Sequence, residues 1–412
     1  MPAGATTLPP VATNTTTASP EHLRASLVET IARRGTFHTP QVQAAFRAVP
    51  RHLFLPGVSL EQAYSPHPVI TKRAADGTAL SSASQPNLVA SMLEQLDVQP
   101  GMRVLEIGAA TGINAALLSE LAGPTGHVTT IEIDQDLATG ARAALTKADY
   151  PQVRVICGDG ADGCSAGAPY DRIIVTAGAA DIAPSWWTQL AVGGRIVVPL
   201  VLHASGLTRS IAFDHTQSTR MDSVSALVCG FVPMRGALER TQHTVVLADD
   251  LTLSLDARVP ADEDALRHAF TTPGDEHWTG ITIMHGQPTQ HLDLWLASTG
   301  TGFGRLSAGP HARQAGTANP TPRWAGAALY DGGNITYLTL RVLDNTTEEL
   351  GLVTHGADRQ KITNQAMEHL RRWNGERPTQ PTITAYPAAT PDNQLRPGSR
   401  IDKPDSRLTV LW

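Results

Sequence analysis

Cysteine is scarce in this chain. Three residues in 412, Cys157, Cys164 and Cys229, have neither the paired spacing of a zinc site nor the density of a disulfide scaffold, and they fit a reducing compartment. Charge is scarce as well: 17% of residues against the ~25% usual for soluble proteins, with 32 basic and 38 acidic side chains leaving a net charge of -6. A general nucleic-acid-binding face is not expected from that balance. Long apolar runs are missing too. No stretch approaches the ~18 consecutive apolar residues of a spanning helix, and the first residues lack the basic-then-apolar order of a signal peptide. These absences predict a cytoplasmic protein with no membrane segment.

What is present describes an ordinary globular chain, 41% hydrophobic, and long enough for two or more cores, since single cores stop growing near ~250–300 residues. Residues 1–20 are a Thr/Ala/Pro mixture with too little large apolar mass to offset the entropy of ordering, and read as a disordered arm. Two helices follow. Leu23, Leu27, Val28 and Ile31 recur at helical spacing, as do Val42, Ala45, Phe46 and Val49, with Thr39 as N-cap and Pro40 at the first helical position. From Gln85 the texture is α/β: apolar strands Arg103–Ile107, His127–Ile133, Val153–Cys157, Asp171–Val175 and Arg195–Pro199 alternate with helices. That alternation predicts a Rossmann-like parallel sheet with flanking helices and ligands at the carboxyl ends of its strands. After Gly236 the pattern changes to alternating strands, Leu292–Ala297 among them, with two helices over Asp262–Phe270 and Asp358–Trp373. The chain thus divides into a domain over 21–236 and a C-terminal α+β domain over 237–412.

The run Val104-Leu105-Glu106-Ile107-Gly108-Ala109-Ala110-Thr111-Gly112 places glycines where a buried strand turns into a helix, so that backbone N–H groups can close on a ligand. Such turns also occur as plain packing features. The acid Glu132, at a strand end about 20 residues on, suits the two hydroxyls of a ribose. Cys157-Gly158-Asp159-Gly160 ends the next strand with an aspartate able to accept from an exocyclic amine and glycines that let a flat ring lie close. Position 110 is Ala where a dinucleotide fingerprint carries the Gly that admits a pyrophosphate. A nucleoside without phosphates is the better fit.

These residues resemble the class I S-adenosylmethionine-dependent methyltransferases, and among them the protein-L-isoaspartate O-methyltransferases. The resemblance runs from Leu23 to Gly236. It rests on Ala48-Val49-Pro50-Arg51-His52-Leu53-Phe54, Ser82-Ala83-Ser84-Gln85-Pro86, Arg103–Gly112, Gly158-Asp159-Gly160, Pro169–Ala177, Gly193-Gly194-Arg195 and Phe231-Val232-Pro233. It implies a cofactor site built from Ser81, Glu106, Gly108, Ala110, Gly112, Asn114, Glu132, Ile133, Gly158, Asp159, Gly160 and Thr176, for S-adenosylmethionine with S-adenosylhomocysteine as product. Ser84 is the expected substrate-contacting hydroxyl with Ser82 beside it, and Ala83, His67, Val232 and Pro233 complete the substrate side. From the residues alone, the serine loop reads more readily as a simple turn before a helix, and His67 as a loop residue. His291 and Asp293 lack a third partner for a metal, Trp186 and Trp187 read as core, and Cys157 and Cys229 as small buried hydrophobes.

The chemistry implied is attack of a carboxylate oxygen on a sulfonium methyl, which needs no general base. The ester then yields a succinimide when the neighbouring main-chain nitrogen displaces methanol, and hydrolysis gives aspartyl and isoaspartyl products. The sequence departs from the repair enzymes in its loop, with Ser81, Ser82 and Ser84 around Ala83, and in the 176 residues after Gly236; that extension, the Trp186-Trp187 pair and Gly206-Leu207-Thr208-Arg209-Ser210 resemble the branch associated with ribosomally made, modified peptides of the lanthipeptide type. The expected partner is then a peptide or protein with an aspartyl or isoaspartyl carboxylate, a modified precursor peptide first of all. General isoaspartyl repair and a non-catalytic binding module are the alternatives.

Overall fold

In the computed structural model, residues 18–239, 242–256, 259–284, 291–300, 302–322, 325–378 and 380–412 are described. Most of the expected arm therefore lies outside the described residues; its end, Ser19, caps the first helix by accepting from His22 N at 3.3 Å. Helices α1 (Pro20–Arg33) and α2 (Pro40–Ala48) follow, the latter capped by Thr39 as its sequence predicts. A single 3-10 turn, Arg51–Phe54, and the short α3 (Leu60–Ala63) lead into a two-stranded hairpin, β1 (Val69–Arg73) and β2 (Ala79–Ala83). Helix α4 (Pro86–Leu96) starts directly behind it.

The alternating part then runs β3 (Arg103–Ile107), α5 (Ile113–Ala122), β4 (His127–Glu132), α6 (Gln135–Lys147), β5 (Arg154–Cys157), β6 (Tyr170–Val175), α7 (Pro184–Gln189) and β7 (Leu190–His203). Strands β3 to β7 are parallel in the order β7-β6-β3-β4-β5. Ile107 is in register with both Ile131 and Val175, so three carboxyl ends lie level. The chain goes from β3 to β4 and β5 on one side, then crosses to β6 and β7 on the other, which opens a crevice beyond the end of β3. The pattern of near-continuous apolar strands is explained by cover on both faces: Leu105 and Ile173 pack in one core, Val104 and Ile174 in another under α2, α4 and α5.

Strands β8 (Leu207–Gln217) and β9 (Arg220–Val228) extend the sheet antiparallel. A second sheet follows, built from β10 (His243–Ala248), β11 (Leu251–Leu255), β12 (Asp275–Met284), β13 (Phe303–Ala308), β14 (Gly326–Asp331), β15 (Asn334–Val342) and β16 (Thr347–His355). It is antiparallel throughout, in the order β10-β11-β13-β14-β15-β16-β12, with α8 (Glu263–Ala269), α9 (Leu292–Thr299), α10 (Pro310–Gln314) and α11 (Arg359–Glu376) attached. Leu292–Ala297 is thus helix rather than strand. The chain then returns. β17 (Thr382–Pro387) pairs with β9 through Thr384↔Asp222 and Ala385↔Met221, and β18 (Ser399–Asp402) and β19 (Ser406–Leu411) complete ten strands.

One boundary at Gly236 therefore does not describe this molecule: the second sheet is inserted between two neighbouring strands of the first. The core is shared as well. Trp186, Ile196 and Ile211 of the first region belong to the same apolar cluster as Trp295, Leu338, Leu370 and Trp373 of the second, and Ile383 and Leu408 of the returning strands. Each such large side chain contributes about 1.5–3 kcal/mol by leaving water. Among the described residues no helix is long and apolar enough to cross a membrane.

Candidate active site

The crevice at the end of β3 is a cleft with two lobes of about 630 and 490 Å³, both lined by Ser82, Gly108, Ala110, Thr176 and Phe231. Its floor is the turn after β3. Gly108 has φ +99°, and a Cβ there would stand 2.6 Å from Thr176 Oγ1, which itself donates to the carbonyls of Ile107 and Gly108 at 2.9 and 2.6 Å. Ala110, the residue in place of a fingerprint glycine, also has positive φ, +46°. Its strained backbone points N–H at Glu132 Oε2, 2.8 Å away, while Oε1 accepts from Asp134 N at 3.2 Å. The β4 carboxylate is thereby fixed at the cleft wall with acceptor capacity left on each oxygen.

Glu106 is the second acid. It is fully buried, accepts from Asn114 Nδ2 at 2.8 Å and Thr130 Oγ1 at 2.6 Å, and burial pushes it up to about 7 against the pull of those two donors. Asn114 Oδ1 beside it is enclosed without a partner among the described residues. The roof is the β1–β2 hairpin and the segment from Phe231 to Arg235. Ser81 is buried with its hydroxyl accepting from Thr71, whereas Ser82 lines both lobes and Ser84 lines the smaller one. Three charges tie the roof together: Asp134 meets Lys72 Nζ of the hairpin at 2.9 Å and Arg235 Nη2 at 2.8 Å. The Arg235 hydrogen bonds, with help from Lys72, hold the Asp134 carboxyl down at about 2.

The cleft thus gathers Ser81, Ser82, Ala83, Ser84, Glu106, Gly108, Ala110, Asn114, Glu132, Ile133, Gly160, Thr176, Val232 and Pro233. Four expected site residues fall outside its lining. His67 is exposed on the loop before β1. Gly112, with φ +88°, starts α5 against Leu145 of α6, and Gly158 donates its N–H to Glu132 O. Asp159 accepts from Ala161 N at 2.9 Å and Ala237 N at 2.8 Å, so it caps its own turn and anchors the chain after Arg235. Its motif was visible; its partner 78 residues away was not. Sequence reasoning missed Arg51, which lines the smaller lobe, and the Lys72–Asp134–Arg235 group, whose members are far apart in sequence. Elsewhere, Trp186 and Trp187 are core, Asp293 pairs with Arg209 and His291 packs against Trp412, while burial drives the Cys229 thiol up to about 12.

Residues 22–239, just over half the chain, match the family model for protein-L-isoaspartate(D-aspartate) O-methyltransferase. The chain belongs to the protein-L-isoaspartate O-methyltransferase family. It is similar to the protein-L-isoaspartate O-methyltransferase of Hyperthermus butylicus, 38% identical over 52% of this chain and 88% of that one. That of Methanopyrus kandleri is 42% identical over 43% and 76%, and one from Rhodopseudomonas palustris 46% identical over 41% and 73%. Among solved structures, a protein-L-isoaspartate O-methyltransferase superposes with a TM-score of 0.50 at 22% identity, covering 88% of this chain and 96% of its own. That coverage leaves about 50 of the 412 residues unmatched, so much of the region after Gly236 shares its fold with a protein-L-isoaspartate O-methyltransferase. Members of the family are S-adenosylmethionine-dependent carboxyl methyltransferases.

Proposed function

We propose that this chain methylates the free α-carboxylate of an isoaspartyl residue in a protein or peptide. The observation that carries this reading is the meeting, in one cleft, of the Gly108 turn and its two acids with the Ser82–Ser84 loop. The residues present fit S-adenosylmethionine. Glu132 and Ile133 would hold the ribose and base edge, Ile107, Ile131 and Met234 the faces of the ring, and Glu106 with the orphaned Asn114 Oδ1 the amino-acid end. The bound cofactor supplies a sulfonium methyl. The chain's own part is to bring an acceptor oxygen into line with it, exclude water, and hold the acceptor with the Ser82 and Ser84 hydroxyls. Since the carboxylate is already an anion at neutral pH, no group need remove a proton. Loss of methanol from the ester to the adjacent main-chain nitrogen then gives a succinimide, without further demand on the protein.

A narrower reading makes the acceptor an aspartate of a dedicated, modified precursor peptide. The small Ala83 at the centre of the loop favours it by leaving room for a constrained substrate. The region after Gly236 no longer adds to it, because that fold is shared with a protein-L-isoaspartate O-methyltransferase. We therefore rank isoaspartyl acceptors of unrestricted sequence first. The test is mass spectrometry of isoaspartyl and aspartyl peptides incubated with the chain and S-adenosylmethionine. A one-methyl gain followed by methanol loss on isoaspartyl peptides is expected, with Ser84→Ala slowing turnover about tenfold while cofactor affinity holds. No methyl transfer to any isoaspartyl peptide sinks the reading.

A further inference from the structure

Three arginines are buried among the described residues, and two of them face a carboxylate: Arg172 stands 3.8 Å from Asp97, and Arg209 pairs with Asp293. Arg51 is different. It is 7% exposed, yet no acidic side chain lies within ion-pair distance of it among the described residues. Its Nε donates to Ala63 O at 2.8 Å, and Nη2 to Ser84 O at 3.2 Å and Ala83 O at 3.5 Å. Nη1 makes no hydrogen bond among the described residues. Nor is Nη1 one of the fully enclosed polar atoms that lack a partner, so it reaches open space, and the open space that Arg51 lines is the lobe bounded by Ser82, Ala83, Ser84 and Phe231. A buried cation with no counter-ion is expensive to keep. Burial draws Arg51 down to about 10, which still leaves it charged at neutral pH.

We propose that Arg51 recognises the acceptor: its Nη1 bonds the non-attacking oxygen of the substrate carboxylate, which serves as its counter-ion. Nε and Nη2 meanwhile hold the guanidinium and the Ser82–Ser84 loop as one unit, so the anion site and the serine hydroxyls keep a fixed relation. The inference rests on the carboxyl-methylation reading above. It has a direct chemical corollary: the acceptor arrives as an anion and leaves as a neutral ester, so the same contact that draws substrate in loses its charge partner once the methyl is on. Charge on the acceptor falls as the new C–O bond forms, so Arg51 holds the ground state at least as well as the transition state. Its loss falls on KM rather than kcat.

The test uses the full chain loaded with S-adenosylhomocysteine and two peptides that differ only at the acceptor group, an isoaspartyl carboxylate and the matching amide. Calorimetry of the wild type is expected to show the acid binding about 30-fold more tightly than the amide. In Arg51→Gln that ratio collapses toward one, and in Arg51→Lys it falls at least threefold, with S-adenosylhomocysteine affinity unchanged in both. A purely structural Arg51 would weaken acid and amide alike. Equal binding of acid and amide by the wild type overturns the proposal without any variant, and an unchanged ratio in Arg51→Lys does so where Arg51→Gln does not fold. Failure of the wild type to methylate any isoaspartyl peptide would instead overturn the reading on which the proposal rests. Methylation with an unchanged acid-to-amide ratio removes Arg51 alone.

Discussion

In the seven-stranded sheet, Thr354 Oγ1 sits between Thr336 Oγ1 at 2.9 Å and Thr363 Oγ1 at 2.8 Å, and Thr363 donates on to Arg359 O. Glu349 there is answered by Arg341 and the Gly280 N–H. The ring nitrogens left over, on His355 and His291, are covered by aromatic faces and edges: Phe270 stacks on His355 at 4.1 Å, and Trp412 meets His291 edge-on. At the carboxyl edge of the ten-stranded sheet the same kinds of group are handled differently. Glu106, Glu132 and Arg51 are as buried, but each keeps bonding capacity directed at one shared space. Burial of polar groups alone does not mark a site. What marks it is a set of fixed, incompletely used groups facing a common cavity.

The largest effect that would test this contrast comes from the floor. Gly108→Ala combines positive φ with a 2.6 Å approach to Thr176, and should weaken S-adenosylhomocysteine binding about 100-fold by calorimetry. Thr354→Val, the matching change in the closed network, should cost about 1–3 kcal/mol in denaturant unfolding and leave that affinity within about twofold. If Thr354→Val lowers affinity as Gly108→Ala does, the two regions are not distinct in function. A smaller effect sharpens the role of the buried acid. With Glu106 raised from 4.5 to about 7, the unfolded chain releases this proton first, so its contribution to stability is present below pH 4.5 and is lost as pH rises toward 7. A cation of the cofactor beside it favours the ionised form. Affinity should therefore rise up to about tenfold between pH 6 and 8, and calorimetry on Glu106→Gln should give a flat profile. The smallest effect concerns the roof. Asp134→Asn breaks the ties to Lys72 and Arg235, which are partly exposed, and should speed S-adenosylhomocysteine release only about 3- to 10-fold in stopped flow. Added salt should speed release from the wild type and not from the variant.

Much of the parallel half could be read from sequence because its signals are local. Strand Arg103–Ile107 and the Gly108 turn fell where apolar run and glycine meet, and Glu132 followed at the expected distance. The rest depended on partners far along the chain. Leu207–Gln217 and Arg220–Val228 went unread as strands because polar residues interrupt their apolar positions, with partners far along the chain: Ser225 meets Gln95, Asp222 meets Thr384 of β17, Asp214 meets Arg195 and Arg209 meets Asp293. Leu292–Ala297 alternates like a strand, yet Leu292, Leu294, Trp295 and Leu296 are all buried in α9, and a helix buried nearly all round has no readable period. Asp159 was legible as a motif, but the Ala237 N–H that it also accepts from, 78 residues away, was not. Arg51 lies inside the resembling stretch Ala48–Phe54, but an arginine with no acidic partner among the described residues can be recognised only when its surroundings are seen.

The return of β17 to β9 bears on how the protein is made. About 150 residues separate the end of β9 from the start of β17, and at ribosomal speeds of ~5–20 residues per second that is roughly eight to thirty seconds of synthesis. Throughout that interval β9 lacks its β17 partner, the kind of edge that recruits other strands. Met221, fully enclosed in the finished molecule, sits at that edge. The β9 edge is covered only once residues 382–387 have been made and have reached it.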